Sequence, residues 1–180
     1  MRNAYAMHQH SVVLRILLTV LPEPLSECVI ATLSFCGNGK TDMAKVQIVT
    51  VMTLDGFLPE ADGKFMQWVR TSSKGFPYWQ ERSTFRLRPG HPMLDLVCDK
   101  ERTGDSCIYI AEVSDCPGVE LLGNLFRFHL IDELVIYLLP VMAGTGTSIF
   151  KNPPAGHWHL RKANTFSNGI CRMVYRRILQ

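Results

Sequence analysis

Four stretches of the chain carry the apolar pattern of buried β-strands. The first, "KVQIVTVMT" (45–53), is β-branched and apolar on both faces, as expected of a central strand covered on each side. "MLDLVCD" (93–99), "SCIYIAEV" (106–113) and "DELVIYLLP" (132–140) are shorter apolar runs of the same kind. The pattern therefore predicts four strands that lie inside a sheet.

One helix and a closing hairpin complete the predicted elements. "SDCPGVELLGNLFRFH" (114–129) offers Ser114 or Asp115 as its N-cap and Pro117 in its first turn. Its apolar side chains form a single stripe of Leu121, Leu122, Leu125, Phe126 and His129. "HWHLRKANTF" and "ICRMVYRRIL" flank Asn168–Gly169, which is a strong hairpin signal. This order predicts an α/β domain: a mixed sheet flanked by helices, with a C-terminal antiparallel hairpin.

The loop after the first strand, residues 54–64, is rich in Gly, Asp and Pro. Asp55–Gly56 bends the chain, a second Asp-Gly pair follows at Asp62–Gly63, and Trp68 comes next. A glycine-hinged loop with a bulky side chain is a reasonable lid over a site that excludes water. The alternative is that Asp55–Gly56 is simply a turn and that Trp68 belongs to the core, and the sequence leaves both interpretations open.

Residues 1–42 differ in residue pattern from the rest of the 180-residue chain. Their apolar stretch is interrupted by Arg15 and ended by Pro22 and Pro24, which makes it too short for a membrane span. "SFCGNGKTD" matches a phosphate-binding loop only in part, because Ser34 stands where that pattern requires Gly. We therefore predict that residues 1–42 are an extension outside the fold and that residues 43–180 form the domain.

Charge and cysteine usage narrow the classes of partner. The net charge is only +3, and no basic helix or aromatic-interleaved patch suggests nucleic-acid binding. The six cysteines show no C-x-x-C spacing, so we expect a reducing cytoplasm and neither a zinc site nor a disulfide framework. "HWH" (157–159) lacks a third metal ligand nearby, and we predict no metal site.

The last part of the chain carries charge of one sign. From Leu134 to Gln180 there is no Asp or Glu. The basic residues there are Lys151, Arg161, Lys162, Arg172, Arg176 and Arg177. They suit either an anionic ligand or solvent-facing strand positions that protect a sheet edge from aggregation.

Two segments together resemble a known family. "TLDGFLPEADGKFMQW" (53–68) is similar to the first strand and following loop of the dihydrofolate-reductase-like superfamily. "LIDELVIYLLPVMAGTGTSIF" (130–150) resembles the "DEL…P…G-x-G…LF" segment of the same superfamily, with the reductase domain of bacterial riboflavin biosynthesis as its most similar branch. The resemblance covers residues 45–72 and 106–180, and the order of the motifs supports it more than any single motif does.

The resemblance implies an NADPH-dependent reductase of a small heterocyclic or phosphorylated substrate, and a homodimer. The loop after the first strand would close over the nicotinamide, with Gly56 at its bend. The backbone at Val51 and Met52 and the side chain of Trp68 would line the cofactor site. Ser114 to Gly118, at the start of the helix, would hold the pyrophosphate, as helix N-termini do. Glu112 or Asp55 would position the substrate.

The chain also departs from the family. Asp115 stands in the phosphate-binding turn, where a carboxylate repels a phosphate, and Met66 replaces a substrate-contacting serine. The middle region, between Ser73 and Ser106, is shorter than in the family. It lacks the "G-R-x-T"-like motif that binds the cofactor's adenosine phosphate. Fold alone does not fix function. The second hypothesis is therefore a non-catalytic relative that binds another ligand or a protein partner.

Overall fold

The computed structural model describes residues 44–102 and 107–178. The predicted extension, residues 1–42, lies outside the described residues. In chain order the elements are β1 Lys45–Met52, α1 Lys64–Thr71, α2 Phe76–Gln80, β2 Phe85–Leu87, α3 Met93–Arg102, β3 Ile108–Val113, α4 Cys116–Arg127, β4 Glu133–Leu138, β5 Trp158–Thr165 and β6 Cys171–Arg177.

The strands form one six-stranded sheet in the order β2-β3-β1-β4-β6-β5. β1 lies inside the sheet and runs parallel to both β3 and β4, and β2 runs parallel to β3. β6 is antiparallel to β4 and forms a hairpin with β5. Gly169 has a φ of +86° in the hairpin turn, a backbone conformation that favours glycine. The α/β class, the mixed sheet and the C-terminal hairpin are confirmed.

Helices cover the sheet on both faces. Face A carries Val46 and Ile48 of β1 and packs against α3 and α4. Face B carries Val49 and Val51 of β1 and packs against α1 and α2. The chain thus passes from β1 to β2 over face B and returns to β3 and β4 over face A. This is the arrangement expected when parallel strands are joined by crossovers of one hand.

The prediction of a strand at 93–99 is wrong, because this stretch belongs to helix α3. Leu96 is fully buried while Leu94 is 71% exposed. Met93 and Val97 pack with Leu96 on face A, so the inward positions follow the i, i+3, i+4 spacing of a helix. A short apolar run of this length does not separate a strand from one buried side of a helix.

Candidate active site

The ends of the parallel strands meet at one edge of the sheet, which we call the carboxyl edge. β1, β3 and β4 end there, at Met52, Val113 and Leu138. β6 runs the other way and begins there, with Cys171 paired to Leu138. In open α/β sheets, ligands bind in the crevice outside the carboxyl ends of the strands. All eight of the predicted site residues lie in the last part of a strand or in the loop or helix that follows it at this edge.

Asp55 joins the two loops at the carboxyl edge. Its Oδ1 accepts hydrogen bonds from the Thr53 hydroxyl at 2.5 Å and from the Ala143 N–H at 3.1 Å. Its Oδ2 accepts from the Gly144 N–H at 2.7 Å. These bonds, that of Thr53 above all, lower the pKa of Asp55 from 3.8 to about 2. Asp55 is thus an ionised carboxylate at neutral pH that holds two loops together, which does not suit it to donate a proton.

Backbone hydrogen bonds fix most of the predicted lid loop. Gly56 has a φ of +82°, so the bend at Asp55–Gly56 requires a glycine conformation. Three bonds of 2.8–3.0 Å join the loop to the segment after β4: Leu54 N–H to Val141 O, Leu58 N–H to Thr147 O and Ile149 N–H to Gly56 O. The loop is therefore attached as far as Leu58. The carbonyls of its exposed tip, residues 60–62, accept hydrogen bonds from the Gly63 N–H and from the side chains of Gln67 and Arg70. Its role as a lid stays a prediction.

Trp68 lies on α1 and packs inward on face B. Its ring is 4.8 Å from that of Phe166, centroid to centroid, and it contacts the face-B core. Met66, on the same helix, is only 1% exposed, so it fills the core. Val51 is fully buried, and the Met52 carbonyl accepts a hydrogen bond from the Leu139 N–H at 2.8 Å. The cofactor contacts implied for Val51, Met52 and Trp68 stay predictions.

Three buried side-chain atoms in the described residues lack a hydrogen-bond partner: Nε2 of His91, Oε1 of Glu112 and Nε of Arg172. Glu112 is the next-to-last residue of β3, Arg172 is the second residue of β6, and His91 follows β2. All three therefore lie towards the carboxyl edge. Buried polar groups without partners are rare, and they mark places where a ligand or water completes the hydrogen bonding.

Glu112 and Arg172 lie on the same face of the sheet. Glu112 shares its face with Ile110, and Arg172 with Val174, both of which belong to the face-B core. β3 and β6 are three strand spacings apart, or about 14 Å. Face B at the carboxyl edge thus presents a carboxylate at one end and a guanidinium at the other. The sequence indicated a site at Glu112, whereas it carried no signal for the burial of Arg172 or His91.

Arg172 is a buried cation with neutral partners. It is 9% exposed and forms no ion pair with a described carboxylate. Its Nη atoms donate to the Lys74 carbonyl at 3.4 Å and to Oδ1 of Asn164 at 3.2 Å. The rings of Tyr78, Trp79 and Phe166 lie 5.2–5.6 Å from the guanidinium. The solvent-facing interpretation of the basic C-terminal residues fails for Arg172, although Arg161, Lys162 and Arg176 are exposed.

Tyr137 supports the wall around Arg172. Its hydroxyl donates to the Lys74 carbonyl at 2.7 Å and accepts from Nε1 of Trp79 at 2.8 Å. Burial raises the pKa of Tyr137, while the hydrogen bond from Trp79 acts in the opposite direction. The tyrosine thus remains a neutral hydrogen-bonding group at physiological pH and fixes the segment from α1 to α2 against the sheet.

The start of α4 is closed by its own cap. Asp115 is the N-cap, and its Oδ1 accepts from the Gly118 N–H at 2.8 Å. Pro117 has no N–H to offer. In the predicted pyrophosphate site from Ser114 to Gly118, the Gly118 N–H is therefore occupied, Pro117 has no N–H, and a carboxylate lies among the remaining amides. These residues do not fit a pyrophosphate.

The loop after β1 and the entrance of α4 lie at the same edge of the sheet, and the segment after β4 lies between them. Sγ of Cys116, at the start of α4, is 3.5 Å from Oγ1 of Thr147. The Thr147 carbonyl in turn accepts a hydrogen bond from Leu58 in the loop after β1. The space between Asp55 and the entrance of α4 is therefore bridged by the segment after β4.

A separate groove of about 660 Å³ runs along the outer side of α4. Glu120, Gly123 and Arg127 line it from the helix, and Lys151 and Pro154 line it from the segment before β5. None of the predicted site residues lines this groove.

Several solved structures resemble this chain. The RibD protein of Acinetobacter baumannii has 13% identity, with 77% of this chain and 59% of that chain covered, and a TM-score of 0.51. A diaminohydroxyphosphoribosylaminopyrimidine deaminase/5-amino-6-(5-phosphoribosylamino)uracil reductase of Thermotoga maritima has 12% identity, coverages of 76% and 57%, and a TM-score of 0.49. The riboflavin biosynthesis reductase Rib7 of Saccharomyces cerevisiae has 11% identity, coverages of 78% and 91%, and a TM-score of 0.41. The chain has the dihydrofolate-reductase-like fold.

At this level of identity the likeness establishes the fold and leaves the activity to be argued from the site. No family model matches the sequence, and no curated protein matches it. In the part of the chain that the structure describes, no helix is long and apolar enough to span a membrane. Within those same residues, no group of three or more His, Cys, Asp or Glu side chains is placed to hold a metal ion.

Proposed function

We propose that this chain with the dihydrofolate-reductase-like fold is a reductase of a small heterocyclic or phosphorylated substrate, with NADPH as the hydride donor that its resemblance implies. The observation that carries the proposal is Glu112. Its carboxylate lies at the carboxyl end of a central parallel strand and has a buried oxygen without a partner. A carboxylate so placed can accept a charge-assisted hydrogen bond from the N–H of a heterocycle.

The remaining groups support binding and orientation rather than proton transfer. The Asp55 carboxylate already accepts hydrogen bonds from Thr53, Ala143 and Gly144. Its role here is therefore to hold the loop after β1 against the segment after β4. Arg172, on the same face as Glu112, is a cation without a described counter-ion and suits an anionic substituent on the substrate. The cofactor that the resemblance implies would supply hydride-transfer chemistry, although the entrance of α4 does not fit its pyrophosphate.

Titration of the purified chain with NADPH tests the proposal. Trp68 and Trp79 lie on the helices of face B, so a dihydronicotinamide bound there should quench their fluorescence or accept energy from them. We expect a saturable signal at millimolar NADPH or below, which persists when a heterocyclic substrate binds beside the donor. Glu112→Gln should leave this signal unchanged and slow substrate-dependent oxidation of NADPH at least 10-fold. The absence of any response up to millimolar NADPH would count against a reductase.

The second candidate is a non-catalytic relative that binds another ligand or a protein partner. It is favoured by the capped entrance of α4, where Oδ1 of Asp115 accepts a hydrogen bond from the Gly118 N–H at 2.8 Å. It predicts no response to any dihydronicotinamide, yet ligand-dependent stabilisation that Glu112→Gln removes. A thermal-shift screen of small N–H-bearing heterocycles separates the two candidates. The homodimer and the cytoplasmic location remain predictions, as does the expectation that the chain binds neither nucleic acid nor membranes.

A further inference from the structure

The first turn of α4 offers few helical hydrogen-bond donors to a ligand. The Gly118 N–H donates to Oδ1 of Asp115 at 2.8 Å, and the Val119 N–H donates to the Asp115 carbonyl at 3.1 Å. Pro117 contributes no N–H, so the amides without a described acceptor are that of Cys116 and those of Ser114 and Asp115, which precede the helix. A helix start binds a phosphate through several free amides pointing at it, and here the amides left over lie directly beside the Asp115 carboxylate.

Packing against β3 holds the first turn of α4 in its capped conformation. A Cβ built on Gly118 would lie 2.9 Å from Oδ1 of Asp115 and 3.2 Å from both the Glu112 carbonyl and Cα of Val113. The first turn of α4 is therefore pressed against the end of β3, and glycine is the residue that permits this approach. Because the turn is in contact with the strand, it has little room to rotate away from the side chain that caps it.

The charge of Asp115 acts in the same direction as its hydrogen bond. Its side chain is exposed, and a phosphate drawn to the Cys116 N–H would lie within a few ångströms of the carboxylate. Repulsion between unit charges at about 4 Å near a protein surface weakens binding by about 10-fold or more. The capping bond and the charge thus both exclude anions from a position that favours them in other helices.

We propose that Asp115 closes the entrance of α4 to phosphate groups, so that a hydride donor is recognised through its dihydronicotinamide end and donors that lack a phosphate bind as well as NADPH. This inference rests on the proposed function, since it concerns the donor of that same reaction. It assigns Asp115 as a specificity-determining residue. It also predicts that the pyrophosphate of NADPH adds no affinity.

The first test compares two donors and three proteins by tryptophan fluorescence: NADPH and dihydronicotinamide riboside, each with the wild type, Asp115→Asn and Glu120→Gln. Asparagine caps a helix about as well as aspartate, so Asp115→Asn removes the charge and keeps the fold. Glu120→Gln removes one exposed charge further along α4 and is the matched control. We expect wild-type Kd values for the two donors within 3-fold, and a 10-fold or greater gain for NADPH alone in Asp115→Asn.

The outcomes separate the inference from the function. If the wild type binds NADPH at least 10-fold more tightly than the riboside, and Asp115→Asn brings no gain, the inference is overturned while the reductase stands. If neither donor binds any of the three proteins, the proposed function is overturned and this inference with it. An equal gain for Glu120→Gln would assign the effect to net charge and would also overturn the role of Asp115.

A second test needs no hydride donor. The amide NMR signals of Cys116 and Gly118 are followed while inorganic pyrophosphate is added to 10-fold the concentration that saturates Asp115→Asn. We expect saturable shifts in Asp115→Asn and none at these two amides in the wild type. Saturable shifts of the wild-type amides at the same concentrations would contradict the closed entrance directly.

Discussion

Replacing Glu112 by glutamine should stabilise the free protein while it weakens ligand binding. Oε1 of Glu112 is buried without a partner, so the free protein bears the cost of keeping a carboxylate oxygen out of water. Gln has nearly the same shape and a neutral side chain. Residues that serve a ligand are commonly destabilising in the ligand-free state, and removing such strain raises stability at the expense of function.

The size of the gain follows from the unpaired oxygen. A buried polar group without a partner costs about 1–3 kcal/mol, and more when it is charged. The amide of Gln retains part of this cost, so we expect a net gain of about 1–2 kcal/mol in the free energy of unfolding. For a domain of this size each kcal/mol moves Tm by about 3–4 °C, so Tm should rise by about 3–8 °C.

Urea unfolding and calorimetry of the two proteins measure this gain. Glu120→Gln, at an exposed position on α4, is the control and should change the free energy of unfolding by no more than about 0.5 kcal/mol. A loss of stability in Glu112→Gln would refute the reasoning, because it would mean that the carboxylate supports the fold through a partner of its own. A gain shared by both variants would point to net charge instead.

Three further predictions concern the framework of the site. Gly75→Ala should cost more than about 2 kcal/mol in urea unfolding, because the new Cβ would lie 2.0 Å from the Val69 carbonyl, whereas Gly123→Ala, with open space around it, should gain about 0.5–1 kcal/mol. Asp55 should contribute stability above pH 3.8 that is lost as the pH falls towards 2, so Asp55→Asn should flatten that part of an acid-unfolding curve. Tyr137→Phe should cost about 1–3 kcal/mol in thermal unfolding, because it leaves the Trp79 N–H without its acceptor.

The fold was predictable where local patterns are strong. β1 is apolar on both faces, α4 has a cap and a stripe, and Asn168–Gly169 marks its hairpin, so each element carries its own signal. The prediction failed for helix α3 because the sequence 93–99 places Leu94, Leu96 and Val97 in one apolar run. Only tertiary packing decides that Leu94 faces solvent while Leu96 enters the face-A core.

The site was predictable in position and less so in detail. Glu112 could be placed at a strand end because β3 has a clear pattern. The clamp at Asp55 could not be foreseen, because its partners are the backbone N–H groups of Ala143 and Gly144, which have no signature in the sequence and lie more than 80 residues away. The burial of Arg172 was hidden for a similar reason. The alternation of residues along β6 does not distinguish Arg172 from its neighbours. The rings that bury it, those of Trp79 and Phe166, come from α2 and the hairpin turn.

The position of a ligand follows from what each side of the carboxyl edge leaves unsatisfied. At the entrance of α4, the Gly118 N–H and the Asp115 carboxylate satisfy one another, so this side has little to gain from an anion. On face B, a hydrogen-bond acceptor at Glu112 and a donor at Arg172 remain buried and incomplete, on strands about 14 Å apart. The face-B side chains between them, Val49, Val51 and Tyr137, are fully buried, so one ligand can complete only one of the two groups. An N–H or O–H donor suits Glu112, whereas an anionic or carbonyl oxygen suits Arg172, and the Glu112→Gln and NADPH titrations distinguish a ligand held at Glu112 from one held elsewhere.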